Sequence, residues 1–158
     1  MFVSFKVVDN LASTLEINDG VVYALQVADT HCEMSDRPKT PKLETSGQWP
    51  VFTYARRRIW HVEGEILGTS MADYDTKRLA LINHMMPTPV TGMTLQRYTA
   101  DIFVTDQNGN TYQDAACSLT SYSMPVEALY PGIGSFMFEW ESDNVWVVRQ
   151  SDSAQVFI

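Results

Sequence analysis

Residues 55–92, ARRRIWHVEGEILGTSMADYDTKRLALINHMMPTPVTG, constrain the fold more than any other stretch. They read as a long strand, a short turn, one helix and a proline stop. Trp60, Val62, Gly64 and Ile66 fall on one side of an extended chain, and Ile59, His61, Glu63, Glu65 and Leu67 on the other. That period of two marks a strand with one face on a core. Gly68-Thr69-Ser70 breaks it. Ser70 is a good helix N-cap, and Asp73 three positions on resembles a capping box with a carboxylate near the helix N-terminus. Tyr74, Arg78, Leu81, Ile82 and Met85 then recur at helical spacing, with Leu79 and Met86 widening the stripe. Pro87 and Pro89 end the helix, because proline lacks the amide donor and pushes its predecessor out of the α region. The expected helix covers about 71–86, and it is the only convincing one.

The flanks are read as strands and turns. Residues 2–8 alternate weakly. Residues 10–13 form a turn. Residues 15–17 and 21–27 flank Asn18-Asp19-Gly20, which predicts a hairpin between those two runs. From 29 to 50 the pattern collapses into a polar, proline-bearing stretch with no period, expected to be a long loop. It is either a plain insertion or an arm that orders against a neighbouring subunit. Trp49 near its end favours some contact, since so large an apolar side chain tends to cover a surface. After the helix, 93–105 supplies one or two strands. Asp106 to Asn110 makes a hairpin turn, and 111–124 returns. Residues 125–134 are a turn-rich connection. Phe136, Phe138 and Trp140 alternate with Met137, Glu139 and Glu141, and 145–149 closes the last strand. Many strands, turns and one helix predict a mainly β sandwich or barrel-like fold.

At 158 residues, the chain is expected to be one domain spanning 1–158. A domain of that size buries roughly two-thirds of its unfolded surface and needs no disulfide or metal staple. Hydrophobic residues make up 45% and charged residues 19%, which argues against disorder. The formal net charge of −8 argues against a general grip on nucleic acid, which rests on Lys and Arg neutralising phosphates. Two cysteines, Cys32 and Cys117, suggest no disulfide framework. The N-terminus lacks the regions of a signal peptide, so export by the general secretory route is not expected.

No pattern calls for catalysis or a cofactor. His61, Glu63 and Glu65 share a strand face but fall short of a zinc ligand set. A polar face turned to solvent or to an interface explains them better. His31-Cys32 lacks an orienting partner and an oxyanion signature. Asp106, Asn108 and Asn110 begin like a calcium loop. The sixth position is then Thr111 where glycine is required, and the twelfth is Cys117 where glutamate is required. Arg56-Arg57-Arg58 is the one basic run. It reads equally as a solvated strand edge or as a salt-bridging surface for an acidic partner, including another copy of this acidic chain. Trp49, Trp60, Trp140 and Trp146 are either core or a stacking platform for carbohydrate.

The strand V-E-G-E-I-L-G (62–68), the polar turn, a helix of the type D-x-x-x-x-R-L-A-L-I (73–82) and a proline-glycine exit together resemble the N-terminal domain of distal tail proteins of long-tailed bacteriophages. The Gly and Trp-Pro of 47–50 just before the central strand are similar in order. The resemblance covers about 47–149, and the related tail-tube proteins have a similar strand–helix design. It implies a β-sandwich with one flanking helix, and a hexameric ring joining the tail tube to the tip hub in the virion, assembled in the host cytoplasm. DNA would only pass through the central channel, and an acidic lumen would let it slide. No catalytic, metal or cofactor residue is implied. Candidate subunit-contact residues on this reading are Arg56, Arg58, Trp49, His61 and Glu63.

Overall fold

The computed structural model describes residues 2–9, 12–18, 20–35, 54–85, 99–125 and 132–158. These residues build nine strands and one helix: β1 (Phe2–Asp9), β2 (Thr14–Ile17), β3 (Tyr23–Ser35), β4 (Tyr54–Leu67), α1 (Met71–Met85), β5 (Thr99–Asp106), β6 (Thr111–Ser123), β7 (Ile133–Ser142), β8 (Val147–Arg149) and β9 (Gln155–Val156). The fold is mainly β with one flanking helix, as expected. All nine strands belong to one antiparallel sheet in the order β2-β1-β5-β6-β7-β4-β3, with β8 pairing β6 and β9. The sheet rolls until β1 faces β4 across the core, where Phe5 and Phe2 lie 6.3 and 5.7 Å from Trp60. Among the described residues it stays open, with β2 and β3 at its two edges.

The alternation read in the sequence decides which face turns inward. Trp60, Val62 and Ile66 of β4 are buried, as are Phe136, Phe138 and Trp140 of β7. The two rows lie side by side, with Trp60 opposite Trp140 and Val62 opposite Phe138. Each such side chain gains about 1.5–3 kcal/mol from leaving water. Gly64 sits opposite Phe136, whose ring occupies the space a β-carbon would need.

Helix α1 closes one end of the roll. The Ser70 hydroxyl accepts the Asp73 amide at 3.2 Å, while Asp73 Oδ2 accepts the Thr69 amide at 2.8 Å. The cap is therefore reciprocal but reaches back one residue further than a simple capping box. Tyr74, Leu81 and Met85 are buried. The Tyr74 ring lies on Gly134, and its hydroxyl donates to Pro125 O at 2.9 Å. Leu79 is exposed and does not widen the buried stripe, because its position turns it away from the sheet. Met86 lies outside the described residues.

Two strand assignments are corrected. The expected hairpin between 15–17 and 21–27 does not form: β2 pairs with β1 instead. β1 and β2 meet antiparallel across Asp9 and Ser13, where Asp9 N donates to Ser13 O at 2.9 Å and Ala12 takes φ 61°. Period and turn letters show where a strand ends, not which neighbour it joins. The expected loop at 29–50 begins too early, because 29–35 continue β3. That half of the strand is polar because it forms a sheet edge, yet it holds register with β4 out to Ser35 opposite Tyr54. Residues 36–53 lie outside the described residues.

Candidate assembly surface

The outward row of β4 is Arg57, Ile59, His61, Glu63 and Glu65. Its neighbours on β3 are Glu33, His31, Asp29, Val27 and Ala24, and on β7 Glu141, Glu139, Met137 and Ser135. Three strands thus present one face carrying six carboxylates (Asp29, Glu33, Glu63, Glu65, Glu139 and Glu141) and one guanidinium, Arg57. His61 lies between Glu63 and Glu139. Its Nε2 is 2.9 Å from Glu63 Oε1 and its Nδ1 is 3.5 Å from Glu139 Oε1. The structure therefore brings the predicted pair His61 and Glu63 together, half-buried, on the outer face. Among the described residues no group of three or more His, Cys, Asp and Glu could hold a metal ion.

The basic run divides between the two faces, as strand alternation requires. Arg57 points outward and clasps three strands. Its Nε and Nη2 donate to Glu33 at 2.7 and 3.0 Å, and its Nη1 donates to Glu141. The hydrogen bond to Glu33 leads the interactions that raise its pKa above the usual arginine value. Arg58 points inward and is fully buried. This corrects the expectation that it serves a subunit contact. Its Nη1 donates to Thr30 Oγ1 at 3.2 Å and Ile158 O at 2.9 Å, and its Nη2 donates to Val145 O at 2.6 Å. The guanidinium also stacks on Trp60 and Phe157, 5.7 and 5.5 Å from their ring centres. Arg58 thus fastens the C-terminal strands to β4 from inside. The Arg56 side chain and Trp49 lie outside the described residues.

A buried carboxylate that sequence reasoning missed stands beside it. Asp114 is buried on β6 and accepts Trp60 Nε1 at 2.8 Å, Ser142 Oγ at 2.8 Å and Asn144 Nδ2 at 3.0 Å. An Asp in a strand whose neighbours are polar gave no signal of this. The network joins β4, β6 and the end of β7 around an acid with neutral donors, a structural arrangement rather than a reactive one.

The remaining candidates separate. His31 faces outward and Cys32 inward on β3, so the two do not meet. Cys117 is buried, and burial foremost pushes its thiol well above the usual range. The Asp106 carboxylate is filled by protein donors: the Asn108 and Asn110 amides, Asn110 Nδ2 and Tyr112 OH, at 2.8–3.0 Å. It sets a hairpin turn, with Gly109 at φ 82°. Trp60 and Trp140 are core, while Trp146 is exposed and meets Phe157 edge to face at 5.8 Å. The described tryptophans make no exposed row of the kind a sugar would stack on.

No protein family matches the chain, and no curated protein matches it. Among solved structures the chain is similar to one in the tail of an empty GTA particle refined with C6 helical symmetry. The identity is 15%, the coverage 87% of this chain and 84% of that one, and the TM-score 0.43. It is also similar to one in the six-fold symmetrised baseplate of the anti-feeding prophage. There the identity is 11%, the coverage 98% and 91%, and the TM-score 0.38.

Proposed function

We propose that this chain is a structural subunit of a bacteriophage tail, a distal tail ring protein that joins the tail tube to the tip hub. The observation that carries the reading is the unit β4–turn–α1. It is the strand and helix on which the resemblance to distal tail proteins rests, and the two form one continuous unit of the fold, with Tyr74 locked on Gly134. The open sheet supports ring formation. A closed ring needs two different surfaces on each subunit that fit one another, and among the described residues the sheet has two different edges, the short β2 and the thirteen-residue β3. An unpaired edge offers a row of amides and carbonyls to a neighbouring chain. Subunits therefore join through the β3 edge, six to a ring, in the virion tail. DNA passes through the central hole and is not gripped, in keeping with the net charge of −8. The function is mechanical and needs no catalytic group.

The test is mass by light scattering after size exclusion, with negative-stain imaging of the large species. Annular particles of about six copies support the reading. A monomer at every concentration, with or without tube and hub proteins present, refutes it.

A further inference from the structure

The outer face of β3, β4 and β7 carries far more negative charge than its own cations balance. Arg57 occupies Glu33 and Glu141 at one end of that face. The excess lies toward the α1 end, on Asp29, Glu63, Glu65 and Glu139, around His61. Like charges on adjacent strands destabilise a sheet unless something of opposite sign meets them. Val27 and Met137 lie among these carboxylates, so the face offers apolar contact as well.

The same chain carries the complement. The segment 36–53 leaves β3 at Ser35 and returns to β4 at Tyr54, and those two residues are register partners. Both roots of the segment are thus pinned side by side at one end of the sheet, the end where the face is already neutralised by Arg57. Its first residues, D-R-P-K-T-P-K, hold Arg37, Lys39 and Lys42, three of the eleven basic residues in the chain. The carboxylate excess of its own face begins about 20 Å along the strand from that root, six residues at 3.3 Å each.

We propose that the acidic outer face of each subunit receives the basic segment 37–42 of a neighbouring copy, with Lys39 and Lys42 paired to Glu63, Glu65 and Glu139. This rests on the ring reading and names the contact that would help hold the ring. The two partners are different surfaces of one chain with opposite charge, as a head-to-tail ring requires. Exposed ion pairs are weak singly and strengthen in networks. The contact is therefore expected to weaken as salt shortens the screening length.

Zero-length carbodiimide cross-linking of the full-length chain tests this, with natural-abundance and ¹⁵N-labelled copies mixed before assembly. The chain has four lysines, Lys6, Lys39, Lys42 and Lys77, so linked peptides are assigned without ambiguity. The expected result is mixed-isotope peptides joining Lys39 or Lys42 to Glu63, Glu65 or Glu139, lost in high salt and in a Glu63→Gln/Glu65→Gln/Glu139→Gln variant that still folds. Same-isotope links alone would mean that the segment covers its own face, and would overturn the proposal. Annular particles without these links would also overturn it and leave the ring reading standing. Mixed-isotope links in particles that are not annular would keep the contact and sink the ring.

Discussion

The indole N–H of Trp60 donates to Asp114 Oδ2 at 2.8 Å inside the core, with both residues almost wholly removed from solvent. The carboxylate also takes Ser142 and Asn144, so one acid satisfies three donors from two distant segments of the chain. Removing it strands the buried Trp60 and Ser142 donors, whereas exposed Asn144 keeps Ala115 O. Asp114→Ala is expected to destabilise the protein by about 3 kcal/mol or more, since each buried polar group left unpaired costs about 1–3 kcal/mol. Trp60→Phe, which removes one donor and keeps most of the ring, is expected to cost less. Urea midpoints of the two variants check the order.

Arg58 bridges Val145 O and Ile158 O from the inner face of β4. The strands β8 and β9 are short and, among the described residues, pair only with β6 and each other. They therefore depend on that bridge more than the central strands do. Arg58→Ala is expected to raise amide hydrogen exchange in 147–158 by at least tenfold, about 1.4 kcal/mol of local opening, while the amides of β4 and β7 change little. Uniform acceleration across the sheet would contradict this.

The contact of Tyr74 with Gly134 leaves no room for a methyl group. Gly134→Ala is expected to cost about 1–3 kcal/mol through displacement of the helix. In a chain of this length that lowers the melting temperature by roughly 2–4 °C per kcal/mol. Tyr74→Phe removes only the bond to Pro125 O and is expected to cost about 1 kcal/mol. Calorimetry distinguishes the two.

Acid should loosen the turns. The Thr69 amide holds the Asp73 carboxyl below its ordinary value of 3.8, with Lys77 adding to the effect, and Asn110 does the same for Asp106. A carboxylate with a depressed folded pKa adds stability above its unfolded pKa, and that stability is lost as the pH falls through the folded value. Stability is thus expected to decline below pH 3.8. Asp106→Asn should flatten that decline while lowering stability at neutral pH. Urea midpoints measured from neutral pH down to about pH 3 read both effects.

The parts legible in the sequence are those where a local pattern has one physical solution. The rows Trp60-Val62-Ile66 and Phe136-Phe138-Trp140 could bury only one face each. Ser70 and Asp73 could only begin a helix, and Asn108-Gly109 could only turn. What stayed hidden depends on distant partners. The polar run 29–35 reads as loop until β4 is seen beside it. The Asn18–Gly20 region looks like a hairpin turn, yet β2 pairs backward to β1. Arg58 belongs to a basic run that reads as a solvated edge or a salt-bridging surface, but alternation from Trp60 puts it inside. Its charge is tolerated there because three oxygens, of Thr30, Val145 and Ile158, accept from the guanidinium, and no local pattern in the sequence announces them. Asp114 gave no signal at all, since the three partners of its carboxylate, Trp60, Ser142 and Asn144, all lie far away in the chain.

The central claim is a closed ring joined at the β3 edge. A cryo-EM reconstruction of the assembled particle tests it most directly. The account predicts six copies about a central hole, with β3 of each subunit at a subunit boundary, its free edge in contact with the next chain. A particle without rotational symmetry, or a ring in which the β3 edge faces solvent in every subunit, would contradict it.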